Sequence, residues 1–126
     1  MKAARTNRTS QPIGHRRYAR FPVSLPVVGR TQQFPGKALP GMVRDVGLGG
    51  LMAEFQVLMV SGSALGLELQ TRWGPLQVEG TVVWTAFGEG AIRHGVAFPE
   101  PKKEDFAIDL FVAGNPMARG TEESSA

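Results

Sequence analysis

Residues 64–98 have the sequence ALGLELQTRWGPLQVEGTVVWTAFGEGAIRHGVAF, and this stretch decides the fold class. Its first seven residues, ALGLELQ, place a leucine at every second position, which is the period of an amphipathic β-strand. The turn sequence RWGP then separates this strand from a second one, LQVEGTVVWT, so a hairpin is predicted. A second turn, GEG, leads into a third strand, AIRHGVAF.

Three further short strands are predicted on the N-terminal side of this stretch. From Phe21 onward, Val23, Leu25 and Val27 alternate with two prolines and a serine, a pattern typical of an edge strand, where proline breaks no hydrogen-bond ladder. The segments ALPGMVRD and LMAEF follow, joined by a turn at residues 47–50. Six short strands separated by turn residues predict a mainly β protein, either a small barrel or a sandwich.

One segment near the C-terminus has helical spacing instead. Residues 101–112, PKKEDFAIDLFV, place apolar side chains four positions apart, with a proline at the start and Gly-Asn-Pro after the end. This predicted helix would bury its apolar stripe against the strands. Trp73 in the first turn is predicted to contact a partner or to pack locally, and the aromatic residues assigned to the core are Phe21, Phe87 and Phe98.

Length and composition limit the class of protein. The chain has 126 residues, is 42% hydrophobic and contains no cysteine, which suits one domain with one core and excludes disulfides, thiol nucleophiles and thiolate metal sites. The best candidate for a membrane span, residues 51–60, is short and interrupted by Glu54 and Gln56. The N-terminus also has no apolar signal core, so neither a membrane span nor secretion is expected.

Charge is unevenly distributed along the chain. Residues 1–44 carry nine basic side chains and no acidic one, whereas residues 45–126 carry five basic and eleven acidic side chains. A positive front end can meet an anion, whether phosphate, nucleic acid or an anionic membrane surface, although a basic tail can also serve only solubility. We expect residues 1–14 to be a flexible basic arm, residues 15–113 to form the domain, and residues 114–126 to be a disordered tail.

The sequence contains no recognisable catalytic pattern. His15 and His94 lie far apart and lack the spacing of a metal-binding helix, and neither a nucleophile elbow nor a phosphate-binding loop is present. The glycine cluster at residues 47–50 fails the dinucleotide fingerprint, since its last required glycine is replaced by Met52. We therefore expect a protein that is not an enzyme and that needs neither a cofactor nor a metal.

Two clusters could nevertheless bind a ligand. The first, HRRYAR at residues 15–20, contains arginines whose planar forks can grip phosphate oxygens or a guanine edge, although alone it could be a solvated basic linker. The second, DVGLGG at residues 45–50, puts a carboxylate before a glycine turn. A carboxylate can accept the N1–H and N2–H groups of a guanine, although alone this segment could be an ordinary tight turn.

Taken together, the two clusters resemble a known family. R-x-x-x-R at Arg16 and Arg20, followed by D-x-S-x-x-G from Asp45 to Gly50, resembles the signature of the PilZ domain, the bacterial receptor for cyclic di-GMP. The sequences GTVVW and HGVAF, ending at Trp84 and at residue 98, are similar to the family's inner and closing strands, and a helix follows them. The resemblance covers residues 15 to about 113.

The resemblance implies a six-stranded antiparallel β-barrel of the PilZ-like, split-barrel type with a C-terminal α-helix. It also implies a cytoplasmic bacterial receptor that binds cyclic di-GMP on the outer face of the barrel and signals to an unidentified protein effector. The implied ligand-binding residues are His15, Arg16, Arg17, Arg20, Asp45, Gly47, Gly50 and Trp84. Trp84 could equally be a packing residue.

One position departs from the family pattern, because Gly47 stands where the motif has a serine. Loss of one neutral hydrogen bond should weaken binding by up to roughly tenfold without abolishing it. A degenerate module of the same fold that recognises only protein is the main alternative. A third alternative, a nucleic-acid binder using the basic arm, is disfavoured by the acidic remainder of the chain.

Overall fold

Alternating burial defines the strands of the barrel. The computed structural model of the chain describes residues 20–114, and in it six antiparallel strands form a closed barrel in the order β1-β2-β3-β6-β5-β4. A single helix, α1, follows the last strand. The elements are β1 (Arg20–Arg30), β2 (Leu39–Gly47), β3 (Gly50–Phe55), β4 (Ala64–Thr71), β5 (Gly74–Phe87), β6 (Ile92–Ala97) and α1 (Glu104–Gly114). The mainly β fold and the antiparallel barrel with a C-terminal helix are confirmed.

The first strand explains how its prolines are tolerated. Val23, Leu25 and Val27 are buried and alternate with exposed residues, as the sequence pattern predicts. The half that contains both prolines pairs only with β2, whereas β4 pairs with the last four residues, from Val27 to Arg30. The predicted edge strand is therefore an edge over its first half only, and the missing proline N–H groups break no ladder there.

The predicted hairpin forms from β4 and β5. Thr71 pairs with Gly74, so the connection is a two-residue turn made by Arg72 and Trp73. Gly74 has a φ of 115°, a left-handed conformation that glycine adopts without strain. The strand β5 is longer than predicted, with 14 residues, and this length lets it pair with β4 through its first half and with β6 through its second half.

Among the described residues, the barrel interior is apolar except for His94. Phe98 is buried in it, as predicted, whereas Phe21, also predicted to belong to the core, is partly buried and packs against it. The assignment of Phe87 to the core is wrong, since 72% of this residue is exposed. Phe87 pairs with Ile92, which pairs with the buried Phe55, so it belongs to an inward-facing row. Phe87 lies beyond Thr81, the last residue of β5 that pairs with β4. At this position the inward-facing side of β5 is therefore past the end of the barrel.

The helix lies across the first half of β1. It begins at Glu104, three residues later than predicted, and it ends at Gly114, which was predicted to belong to the tail. Leu110 is buried, the rings of Phe21 and Phe111 lie 5.7 Å apart, and the rings of Phe98 and Phe106 lie at the same distance. The arm predicted at residues 1–14 and the rest of the predicted tail lie outside the described residues. None of the described helices has the length and apolar character needed to cross a membrane.

Candidate functional site

The strand register places a row of side chains on the outer face of the barrel. Asp45 of β2 pairs with Met52 of β3, Met52 pairs with Gly95 of β6, and Gly95 pairs with Trp84 of β5. Directly paired residues in an antiparallel sheet project to the same face. These four residues, called the outer row below, span four strands, so Asp45 and Trp84 are separated by about 14 Å along the sheet surface.

Two irregularities in the ladders decide which side chains reach this face. The register shifts between Val43 and Asp45 and again between Val82 and Trp84. An extra residue in one strand breaks the strict in–out alternation, so two consecutive side chains point outward. The two pairs placed outside in this way are Arg44 with Asp45, between two buried valines, and Val83 with Trp84, directly after the buried Val82.

Arg20 and Asp45 form an ion pair at one end of the outer row. Arg20 Nη1 donates to Asp45 Oδ1 over 2.8 Å and lies 3.4 Å from the carbonyl oxygen of Gly50. The two side chains are 24% and 32% accessible. Arg20 is also the strand partner of Gly47. Four of the residues predicted from the sequence are thus brought together, although they lie up to 30 positions apart in the chain.

Gly50 has a structural reason to be glycine. A Cβ atom built on it would lie 2.1 Å from the carbonyl oxygen of Val96, so β3 and β6 could not approach each other as they do. The close approach belongs to the barrel wall itself. The expectation that Gly50 also makes room for a guanine stays a prediction.

Gly95 and Trp84 form the other end of the row, and the sequence reasoning did not single out Gly95. A Cβ at Gly95 would lie 2.0 Å from Trp84 Nε1, so the indole covers this glycine. Trp84 is nevertheless 43% exposed and offers an aromatic face to solvent. A glycine inside an otherwise regular strand, as in RHGVA, is the sequence signal for such a close approach.

A second ion pair lies beside the first and was also missed. Arg44 Nε donates to Glu54 Oε1 over 3.0 Å, and Arg44 Nη1 lies 3.2 Å from Ser24 Oγ. Arg44 therefore bridges β1 and β3 across β2. The bulge lets Arg44 share the outer face with Asp45, and bulges leave little trace in a sequence pattern.

His94 lies inside the barrel, away from the outer row. Its side chain is fully buried, and Nε2 accepts a hydrogen bond from the Met59 N–H over 3.0 Å. Since Nε2 is an acceptor, the ring proton is on Nδ1, which donates to the Ile92 carbonyl oxygen over 3.0 Å. Burial lowers the pKa of His94 below its ordinary value, although the backbone hydrogen bond to Ile92 acts in the opposite direction.

The remaining predicted binding residues belong to the segment that precedes β1 in the sequence. His15, Arg16 and Arg17 lie outside the described residues. Within residues 20–114, no group of three or more histidine, cysteine or acidic side chains is arranged to hold a metal ion. The described part of the site therefore consists of the arginine–carboxylate pair at one end of the outer row and the indole at the other.

The described part of the chain is thus a closed antiparallel barrel with an ion pair on its outer face and a helix packed on its first strand. The chain belongs to the PilZ domain family, whose model matches residues 14–111. PilZ is a family of cyclic di-GMP receptors, and no catalytic family is indicated. No curated protein sequence matches the chain significantly.

Three solved structures illustrate the similarity, each at 16% sequence identity. The first is the PilZ domain of YcgR from Escherichia coli with c-di-GMP, with a TM-score of 0.65, covering 86% of this chain and 97% of that one. The second is the inhibitor of motility MotI (DgrA) of Bacillus subtilis, with a TM-score of 0.60 and coverages of 86% and 52%. The third is YcgR in complex with c-di-GMP from Escherichia coli, with a TM-score of 0.60 and coverages of 87% and 47%. The chain thus spans about half the length of the second and third structures.

Proposed function

We propose that this chain is a non-enzymatic receptor that binds cyclic di-GMP at the outer row and relays its presence to a protein partner in the bacterial cytoplasm. The observation that carries the proposal is the Arg20–Asp45 pair, held at 2.8 Å on the outer face with the Gly50 carbonyl beside it. The motif positions of the family and two structural neighbours with bound c-di-GMP support the choice of ligand.

The pair provides both kinds of group that a guanine requires. Asp45 Oδ1 is occupied by Arg20, whereas Oδ2 accepts no hydrogen bond from any residue between 20 and 114. A carboxylate oxygen in this position can accept the N1–H and N2–H groups of a guanine, while the planar guanidinium offers donors to O6, N7 or a phosphate. Both side chains are only partly accessible, so they are already restricted before a ligand arrives.

Trp84 provides a second kind of contact at the far end of the row. Its indole is held against Gly95 and keeps one face toward solvent. Purines stack on such faces with about 1–3 kcal/mol per base. On this proposal the segment that precedes β1 also binds the ligand, through His15, Arg16 and Arg17.

Calorimetric titration of the full chain with cyclic di-GMP tests the proposal. We expect measurable heat with a dissociation constant in the micromolar range, and at least about tenfold weaker binding for Arg20→Ala, because hydrogen bonds to charged groups contribute about 1.5–3 kcal/mol. Arg30→Ala is the matched control, since Arg30 is an exposed arginine at the opposite end of the same strand. Absence of heat from folded protein at tens of micromolar ligand would reject the proposal.

A protein-recognition module that binds no nucleotide is the second candidate, and Gly47 favours it. Gly47 is the strand partner of Arg20, so a serine there would place its hydroxyl beside the guanidinium, and glycine offers no such group. The variant Gly47→Ser separates the two candidates by the same titration. A gain of up to roughly tenfold in affinity identifies a weakened receptor. No binding by either protein favours the recognition module.

A further inference from the structure

The second half of β5 is a strand edge. The N–H and C=O groups of Val82 point away from β6. The N–H donates to the Ser63 carbonyl oxygen over 3.0 Å, and the carbonyl oxygen accepts from the Gly62 N–H over 2.6 Å. Beyond Val82, β5 continues for five residues to Phe87, paired with β6 on one side. No strand within residues 20–114 pairs with the other side of this stretch, because β4 ends its ladder at Thr81.

This edge carries neither the charges nor the proline that often prevent a strand from pairing with another chain. Residues 81–88 have the sequence TVVWTAFG, which contains no charge and no proline and is rich in β-branched and aromatic residues. Val83 is 52% exposed and Phe87 is 72% exposed. Natural edge strands are commonly short, charged, bulged, interrupted by proline or covered. This edge is short and has a bulge at Val83, but its residues carry neither a charge nor a proline.

A neighbouring loop enlarges the apolar surface. The two backbone hydrogen bonds to Val82 hold the turn at residues 60–63 against β5. Val60 begins this turn and is 56% exposed. Val60 and residues 83–87 thus form a strip along the β5 edge, with Val83 on the outer face and Phe87 in the inward-facing row. A partner strand added to this edge would contact the side chains on both faces.

We propose that this strip, defined by Val60 and residues 83–87, binds the same strip of a second copy of the chain, so that two barrels form one continuous sheet across a two-fold axis near Thr85. In that arrangement Trp84 lies opposite Ala86 of the second copy, a large side chain against a small one, and Thr85 lies opposite Thr85. Two uncharged edges meet without repulsion although each chain carries a net charge of +3.

The size of the strip limits the strength of this association. Phe87 alone leaves on the order of 150 Å² of aromatic surface in water. The whole two-fold interface then reaches on the order of 1,000 Å², the lower end for specific contacts, so we expect a weak dimer with a dissociation constant on the order of tens of micromolar. This inference does not depend on nucleotide binding.

Sedimentation equilibrium of the full chain from about 1 to 300 μM tests the proposal, on the concentration range that such weak interfaces require. We expect the weight-average mass to rise from 13.6 kDa toward twice that value. Phe87→Glu should shift the midpoint at least about tenfold higher, because it places a charge on the edge. Ile108→Glu, which changes a 45% exposed residue on α1, should leave the midpoint unchanged. A wild type that stays monomeric at every concentration would overturn the proposal, and this result is expected if residues 1–19 cover the edge. Equal effects of both variants would overturn it as well.

Cross-linking tests the same contact without introducing a charged side chain. Because the chain has no cysteine, Ala86→Cys places a single thiol beside the predicted two-fold axis. The diagonal distance between the two thiols is about 7–8 Å in an antiparallel pair, which a short bismaleimide spans. We expect covalent dimer from Ala86→Cys and at most a trace from Ile108→Cys. Equal yields from both variants would contradict the edge contact.

Discussion

Asp45 on the outer face and His94 in the interior are polar residues on strands of the same barrel, and they are satisfied in different ways. His94 is fully buried, and its two ring nitrogens are bonded to the backbone of Met59 and Ile92. Asp45 is about one third accessible, and one side chain, Arg20, binds it across the strands. A ligand can replace or join a side-chain partner, but it cannot replace buried backbone. The interior polar group therefore serves stability, whereas the outer one is available for binding.

The largest expected effect is on stability, from His94→Ala. The substitution removes a fully buried ring and leaves the buried Met59 N–H without its acceptor. We expect a loss of about 3 kcal/mol in the free energy of unfolding, measured by urea denaturation, from the cavity and the orphaned donor together.

Arg93→Ala, at the adjacent exposed position, is the control and should change the free energy of unfolding by less than about 0.5 kcal/mol. Ligand affinity should stay within twofold for His94→Ala under conditions where the protein is folded. A large change in affinity with little change in stability would break the distinction between interior and outer face.

The second effect concerns the two carboxylates of the outer face. If the proposed function holds, Asp45→Ala should weaken cyclic di-GMP binding at least about tenfold, because it removes the proposed guanine acceptor and the partner of Arg20. Glu54→Ala removes the carboxylate of the neighbouring ion pair, and we expect less than a twofold change. Calorimetric titration of both variants compares the two pairs. Equal losses would mean that Arg44 and Glu54 belong to the binding site as well.

The third effect is the pH dependence of stability. Burial lowers the pKa of His94 in the folded protein, so below the ordinary value of 6.5 the unfolded chain binds a proton that the folded chain does not. His94 therefore costs no stability above about pH 6.5, and the free energy of unfolding falls as the pH drops below it. The slope from this one proton reaches at most about 1.4 kcal/mol per pH unit.

Urea denaturation of wild type and His94→Ala between pH 7.5 and 5 measures this slope. Subtracting the variant removes the contribution of every other group common to both chains. A difference that does not change with pH would show that His94 does not titrate differently in the folded and unfolded chain.

The smallest expected effect is on stability, from the outer ion pairs themselves. Arg44→Ala should reduce the free energy of unfolding by less than about 1 kcal/mol, since the pair with Glu54 is partly exposed and screened by solvent. The loss should shrink further in 1 M salt. A larger and salt-independent loss would mean that the bridge between β1 and β3 stabilises the barrel through packing.

Local patterns were sufficient for the strands, the hairpin and the helix. Alternation of apolar residues needs only near neighbours along the chain, and Leu65, Leu67 and Leu69 are all buried as that alternation predicts. That Arg20 and Asp45 lie at one site was predicted only through the resemblance to a family, because nothing local connects residues 25 positions apart, and their direct ion pair was not predicted. Phe87 was assigned wrongly because alternation gives the direction of a side chain but not where the barrel ends.

The amino-acid sequence by itself determined which residues form strands, where the turns and the helix fall, and which chemical groups the motif offers. The tertiary structure alone decided which of those groups meet. Two bulges put Arg44 with Asp45, and Val83 with Trp84, on the outer face. Closure of the barrel forced glycine at position 50, and the indole of Trp84 requires glycine at position 95. The physical reason is that contact across strands depends on register and close approach, which are properties of two segments at once and are encoded in neither segment separately.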